Sequence, residues 1–237
     1  MASSHSSDGT ADPGPLIGTG RAADVYDIGR GRVLRRNRNG ASTAREAAVM
    51  THLAQHGYPV PRVHDADGGD LVMDRINGST MLDAFPHRPW KLRAWARMLA
   101  DLHHRLLPIP VPDLDIPERF GPPSVLIHGD LHPDNVMLTD HGPVVIDWPN
   151  VSVGPPGADV ASTWLIVACS EVEGSPLARA AQSGARSFFV RSFLRAAGRD
   201  EAQPWLGPAA EHRLNDRNLR PAEAQSIHAL LAAETGS

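Results

Sequence analysis

Residues 125–148 read VLIHGDLHPDNVMLTDHGPVVIDW. Two short apolar runs, Val136 to Leu138 and Val144 to Ile146, are rich in β-branched residues and flank the segment Thr-Asp-His-Gly-Pro. Such runs around a turn-forming segment predict a hairpin, because Gly and Pro punctuate the chain while β-branched side chains suit a pleated surface. Asp130 and Asn135 stand before the first strand and Asp147 ends the second, so the hairpin returns Asp147 to the side of Asn135. A pair of hard oxygen ligands suits magnesium, which keeps several waters and takes the rest of its shell from a few carboxylates and phosphates.

Two other readings of this stretch stand beside the first. His128, Asp130 and His132 are metal-ligand types on one loop, and imidazole with carboxylate suits the zinc of a metal-dependent hydrolase, a reading that leaves Asn135 and Asp147 without a role. A purely structural turn would bury an Asp-Asn cluster, which is costly unless each group finds a partner.

The run His128-Gly-Asp130-Leu-His-Pro-Asp-Asn135, followed by Ile146-Asp147-Trp148, resembles the aminoglycoside phosphotransferase and choline kinase-like family, and the resemblance extends from about Leu16 to Ala168. It implies an α+β, two-lobed protein kinase-like fold, with a small antiparallel β lobe carrying one helix and a larger, mainly helical lobe. It also implies magnesium-dependent transfer of the γ-phosphoryl group of a nucleoside triphosphate, ATP or GTP, to a small-molecule hydroxyl. Asp130 then accepts the proton of the attacking hydroxyl while Asn135 and Asp147 hold magnesium, in keeping with the Asp-x-x-x-x-Asn spacing of kinase catalytic loops. The expected division is a disordered tail over 1–14, a nucleotide-binding lobe over 15–76 and a catalytic and substrate-binding lobe over 77–237.

Composition agrees with a globular chain and removes several classes of partner. The 237 residues carry a net charge of -4 with both signs interspersed, so nucleic acid and anionic membranes are not expected partners. The single cysteine, Cys169, lies in an apolar run and reads as a buried, inert thiol. The Ser- and Gly-rich start lacks the features of a signal peptide and no apolar run is long enough to span a bilayer, so a cytoplasmic protein is expected. One basic residue matters for the chemistry: Lys91 is the only lysine among 23 lysines and arginines, so a cation on phosphates elsewhere must be arginine.

Upstream, Gly18-Thr-Gly20-Arg-Ala-Ala23 lies between Leu16-Ile17 and Val25 to Ile28, and a further strand, Arg32 to Arg36, follows Gly29-Arg-Gly31. A dinucleotide fingerprint requires a helix after its glycines; here a strand follows, so Gly18 and Gly20 read as a strand-turn-strand loop whose amides approach phosphates, or as a plain exposed turn. Alternation along Arg32 to Arg36 puts Val33 and Arg35 on one face and Leu34 and Arg36 on the other. The family resemblance makes Arg35 the phosphate-gripping cation, in the place of the usual kinase lysine, and Glu46 its partner on the following helix. That helix is predicted over Ala41 to His56, with Ser42 or Thr43 as cap, Gly57 as stop, and Glu46, Met50 and Leu53 on one face; the plainer reading of Glu46 is a first-turn acid favoured by the helix dipole. Two more strands are expected at Tyr58 to Val63 and Asp70 to Ile76 around Asp67-Gly-Gly69. By resemblance, the backbone from Asp74 to Ile76 would bond the nucleotide base.

Beyond Asn77 the period becomes helical, with Trp95, Met98, Leu99, Leu102 and Leu106 forming one stripe of a helix over Trp90 to Leu107. His103 and His104 read as a packed and a surface histidine. Pro108 to Pro123 is an irregular crossing, and helices follow over Ala158 to Glu171, Leu177 to Gly198 and Pro221 to Ala233. Asp159 matches a family acid expected to brace the catalytic loop. Residues 171–237 hold eight acids and eight arginines, which gives no sign of an acidic pocket for a polycationic antibiotic. The competing functional class is a nucleotide-binding module without transferase activity, supported by arginine at position 35.

Overall fold

The computed structural model describes residues 13–20, 22–122, 124–170, 176–216 and 219–235. The expected disordered tail therefore lies almost wholly outside the described residues, as does Arg21 in the glycine loop. The fold is α+β, and the chain divides into two compact units. The first comprises the described part of Met1–Thr51 together with Pro61–Arg75, and the second His52–Val60 with Ile76–Ser237.

The first unit is a five-stranded antiparallel sheet in the order β1-β2-β3-β5-β4, formed by Leu16–Thr19, Ala23–Gly29, Arg32–Asn37, Asp70–Asp74 and Val63–Asp67. Gly29, Arg30 and Gly31 all take positive φ at the tight β2–β3 turn, the conformation that glycine adopts at little cost. Helix α1, Ala44–Gln55, buries Val49, Met50 and Leu53 and stops at Gly57, whose φ is +74°. Thr43, before its first turn, donates its hydroxyl to the Asp70 carbonyl at 2.8 Å and so ties the helix start to β5.

The fourth strand is not at the expected Tyr58 to Val63. Tyr58 to Pro61 makes no ladder, because Pro59 and Pro61 have no N–H to donate; the strand is Val63–Asp67. Tyr58 instead belongs to the second unit, where its hydroxyl donates to the Leu102 carbonyl at 3.1 Å and its ring packs edge-on against Trp148.

The second unit is mainly helical. The amphipathic helix α3, Leu92–Leu106, turns Leu92, Trp95, Leu99, Leu102 and Leu106 inward as its period requires. Helix α4, Pro156–Cys169, is buried along most of its length and packs against α5 (Pro176–Ala197), α7 (Leu206–Leu214) and α8 (Pro221–Thr235); the short α6 spans Arg199–Ala202. Two small sheets stand among the helices. β7, Val125–Ile127, pairs with β10, Ser152–Gly154, and β8, Val136–Thr139, pairs with both β6, Ser79–Thr80, and β9, Gly142–Val145. The short helix α2, Met81–Ala84, follows β6 with Thr80 as its cap. Among the described residues no helix is long and apolar enough to cross a membrane.

Candidate active site

The hairpin of β8 and β9 has the register Val136↔Val145 and Thr139↔Gly142, closed by a two-residue turn at Asp140 and His141. Its open end continues past the strands, since the Ile146 N–H donates to the Asn135 carbonyl at 3.0 Å. Asp147 is the next residue, at a φ of +66°, a left-handed conformation that Asp tolerates better than most side chains. Asn135 closes a turn beginning at Pro133, and its side-chain N–H donates to the Asp130 carbonyl at 2.9 Å. That bond fixes the amide plane and turns its oxygen away from the loop backbone. The hairpin and the loop before it thus bring Asp130, Asn135 and Asp147 to one place.

Asp159 fixes the loop from beneath. Its Oδ1 accepts the Gly129 N–H at 2.8 Å and its Oδ2 the His128 N–H at 3.2 Å. Gly129 has a φ of +78°, and a Cβ there would lie 2.8 Å from the Asn150 carbonyl oxygen, so only glycine fits. His103, from α3, donates Nδ1–H to Asp159 at 3.2 Å, and its Nε2 lies 3.1 Å from the Thr163 hydroxyl. The Thr163 hydroxyl in turn donates to the Leu131 carbonyl. Burial alone would raise the Asp159 carboxyl, but the His103 bond, the nearby imidazoles and the Gly129 amide hold it below the usual carboxylate range.

Asp130 shows the same balance. Burial pushes its carboxyl up, and the neighbouring His132, with His128 and Arg213 further off, brings it below its ordinary value. His132 accepts the Asp134 N–H on Nδ1 at 3.3 Å, which leaves Nε2–H to face Asp130 Oδ1 at 3.7 Å. His128 is fully buried against Trp148, donates Nε2–H to the Ile146 carbonyl at 3.1 Å and accepts the Asp130 N–H on Nδ1 at 3.3 Å. With both ring nitrogens engaged inside the loop, His128 has no lone pair for zinc, so the hydrolase reading loses one of its three ligands. Among the described residues no three His, Cys, Asp or Glu side chains gather as a metal cage.

In the first unit, Arg35 donates Nη2–H to Glu46, and both side chains are buried. Arg36, on the opposite face, forms a two-pronged pair with Asp70 at 2.7 Å for each bond. Pairing across the sheet runs Gly18↔Val25 and Val25↔Arg35, so Gly18 and Arg35 lie in one row two strands apart. Gly20 donates its N–H to the Ala23 carbonyl at 2.9 Å, within the loop itself. Asp74 ends β5 opposite Arg32, with its carboxylate 2.7 Å from His64 Nε2. Ile76 follows two residues later and belongs to the second unit.

Two side chains that complete the loop's support escaped sequence reasoning: the Thr163 hydroxyl, which donates to the Leu131 carbonyl, and His103 as the partner of Asp159. Only the helical spacing of Asp159 and Thr163, one turn apart on α4, hinted at the first of these.

A family model described as the phosphotransferase enzyme family matches residues 15–120 and 106–205, and the chain belongs to that family. Solved structures share its fold. A choline/ethanolamine kinase family protein from Mesorhizobium loti has a TM-score of 0.61 at 15% identity, covering 97% of this chain and 90% of that one. ADP-bound aminoglycoside phosphotransferase APH(2'')-Ib also has a TM-score of 0.61 at 15% identity, over 91% and 90% of the two chains. The serine/threonine-protein kinase rio2 of Schizosaccharomyces pombe is 31% identical over 180 residues, 61% of this chain. This chain spans 47% of that curated relative, about half its length.

Proposed function

We propose that the protein is a small-molecule kinase that transfers the γ-phosphoryl group of ATP or GTP to a substrate hydroxyl. The observation that carries this reading is the loop of residues 128–135, held by Asp159, with Asp147 returned to its side by the hairpin. Asp130 takes the hydroxyl proton; its depressed carboxyl keeps it ionised at neutral pH and ready to accept. The donor set fits magnesium: the bond from the Asn135 amide nitrogen to the Asp130 carbonyl leaves the amide oxygen as its ligand atom, and the Asp147 carboxylate is exposed. When bound, magnesium would neutralise charge on the β- and γ-phosphates.

In the first unit the Arg35 guanidinium grips the phosphates while Glu46 fixes its orientation, with Gly18 and Gly20 in the loop nearby. The Asp74 to Ile76 backbone meets the base. Phosphoryl transfer asks little covalent chemistry of a protein, so these roles are positioning and charge stabilisation. A cytoplasmic setting is part of the same proposal. The test is thermal denaturation with ATP or GTP, each with and without magnesium, followed by nucleotide-consumption assays against a library of alcohols. Magnesium-dependent stabilisation and transfer to an alcohol are expected, and stabilisation by zinc without nucleotide would overturn the reading.

A further inference from the structure

A cavity of about 360 Å³ lies on the second unit between α3 and α5, lined by Arg93 and Arg97 from the first helix and Phe188, Arg191, Ser192 and Arg195 from the second. It shares no residue with the cluster around Asp130. Each arginine pair has i, i+4 spacing, which stacks two guanidiniums on one helical face. Like charges at that spacing repel, and nothing in the lining offsets them. Helix α5 carries four arginines and no acid over its 22 residues. On α3 the one acid is Asp101, a turn beyond Arg97. Among the described residues none of the four lining arginines makes an ion pair with a carboxylate. In a chain whose net charge is -4, this is a local concentration of positive charge that neither helix neutralises.

The shape of the cavity narrows the ligand. Its volume suits a small molecule, and guanidinium forks match phosphate oxygens two at a time. Phe188, 43% exposed, adds an apolar face on which a planar ring can stack. We propose that the α3–α5 groove binds a small polyphosphate anion, inorganic or nucleosidic, at a site separate from the catalytic loop.

The experiment is isothermal titration of the full chain with inorganic tripolyphosphate and, separately, with ATP, in EDTA at low ionic strength, so that magnesium-dependent binding is suppressed. Saturable binding that weakens at least about tenfold, or 1.4 kcal/mol, in Arg97→Glu/Arg191→Glu and is kept in Arg35→Ala is expected. Added salt should weaken it further, because the arginines are exposed. Equal affinity for the two probes supports a pure phosphate site; tighter ATP binding that Phe188→Ala abolishes supports a nucleotide. The neutral pair Arg97→Gln/Arg191→Gln gives the same reading if the charge-reversed protein fails to fold. No binding of either probe, binding unchanged in the groove variants, or binding lost in Arg35→Ala alone overturns the proposal, as does binding confined to long RNA.

Discussion

Asp159 and Gly129 are joined by a 2.8 Å hydrogen bond that spans 30 residues of chain, and the same carboxylate takes the amide of His128. One buried charge thus sets the course of the backbone immediately before Asp130. An amide at position 159 loses the charge and replaces one of the two accepting oxygens by an NH2 group, which meets an N–H it cannot accept. Asp159→Asn should therefore cost about 3–5 kcal/mol, the range for removing one partner of a buried charged pair, read as a shift in urea midpoint. A loss below about 1 kcal/mol would show that the loop keeps its course without this carboxylate.

The same carboxyl makes stability depend on acid. Its folded-state value is depressed, so the stabilisation is present above the unfolded value near 4 and is lost as pH falls through the folded one. Unfolding followed from neutral pH down to about pH 3 should show a steeper loss for the parent than for Asp159→Asn.

Asp130→Asn should slow phosphoryl transfer by about 10²-fold or more while nucleotide affinity changes little, since a general base acts on the hydroxyl and not on the phosphates. Because the Asp130 carboxyl lies below its ordinary value, the base stays ionised as pH is lowered through the neutral range. The acid limb of the rate profile should accordingly appear only below about pH 4 if this group governs it. Equal rates in parent and variant would remove Asp130 from the role.

Arg35 and Arg36 stand on opposite faces of β3 and differ in how far their partners are withdrawn from water. The Arg35–Glu46 side chains are 8% and 6% exposed, whereas those of Arg36 and Asp70 are 39% and 32% exposed. Arg35→Ala removes an ion-pair partner of a buried carboxylate and should cost about 3–5 kcal/mol together with most of the magnesium-dependent triphosphate affinity. Arg36→Ala should cost no more than about 1 kcal/mol, because solvent screens that pair. Glu46→Ala added to Arg35→Ala should cost less than the two single changes summed. The reverse ranking in a nucleotide titration would place the phosphate grip on the other face of the strand.

Cys169 is buried, and burial pushes its thiol up to about 11. Reaction with a disulfide reagent at neutral pH should be slow in the folded protein and fast in urea, since the thiolate is the reactive form. Fast stoichiometric labelling without denaturant would contradict that burial.

What could be read from the sequence was local. The β8–β9 hairpin, the inward stripe of α3, the faces of β3 and the turn at Gly29 to Gly31 each depend on residues within a turn or two of one another. The brace under the catalytic loop does not: His103, Gly129 and Asp159 come from three separate elements, and only packing of α3 on α4 brings them together. The arginine groove escaped for a related reason. Over residues 171–237 acids and arginines balance in number, but α5 has segregated its share of the arginines onto a helix without acids. The fourth strand starts only at Val63 because Pro59 and Pro61 bring no amides to a ladder.

The β8–β9 hairpin separates its two ends by function. The residues proposed to hold magnesium, Asn135 and Asp147, stand at the open end, while the tip at Asp140 and His141 is exposed. Residues inserted at the tip lengthen the turn and leave the register at the open end untouched, whereas a single insertion within either strand reverses the side chains between it and the open end. The tip is therefore a place where length can change without moving Asn135 from Asp147.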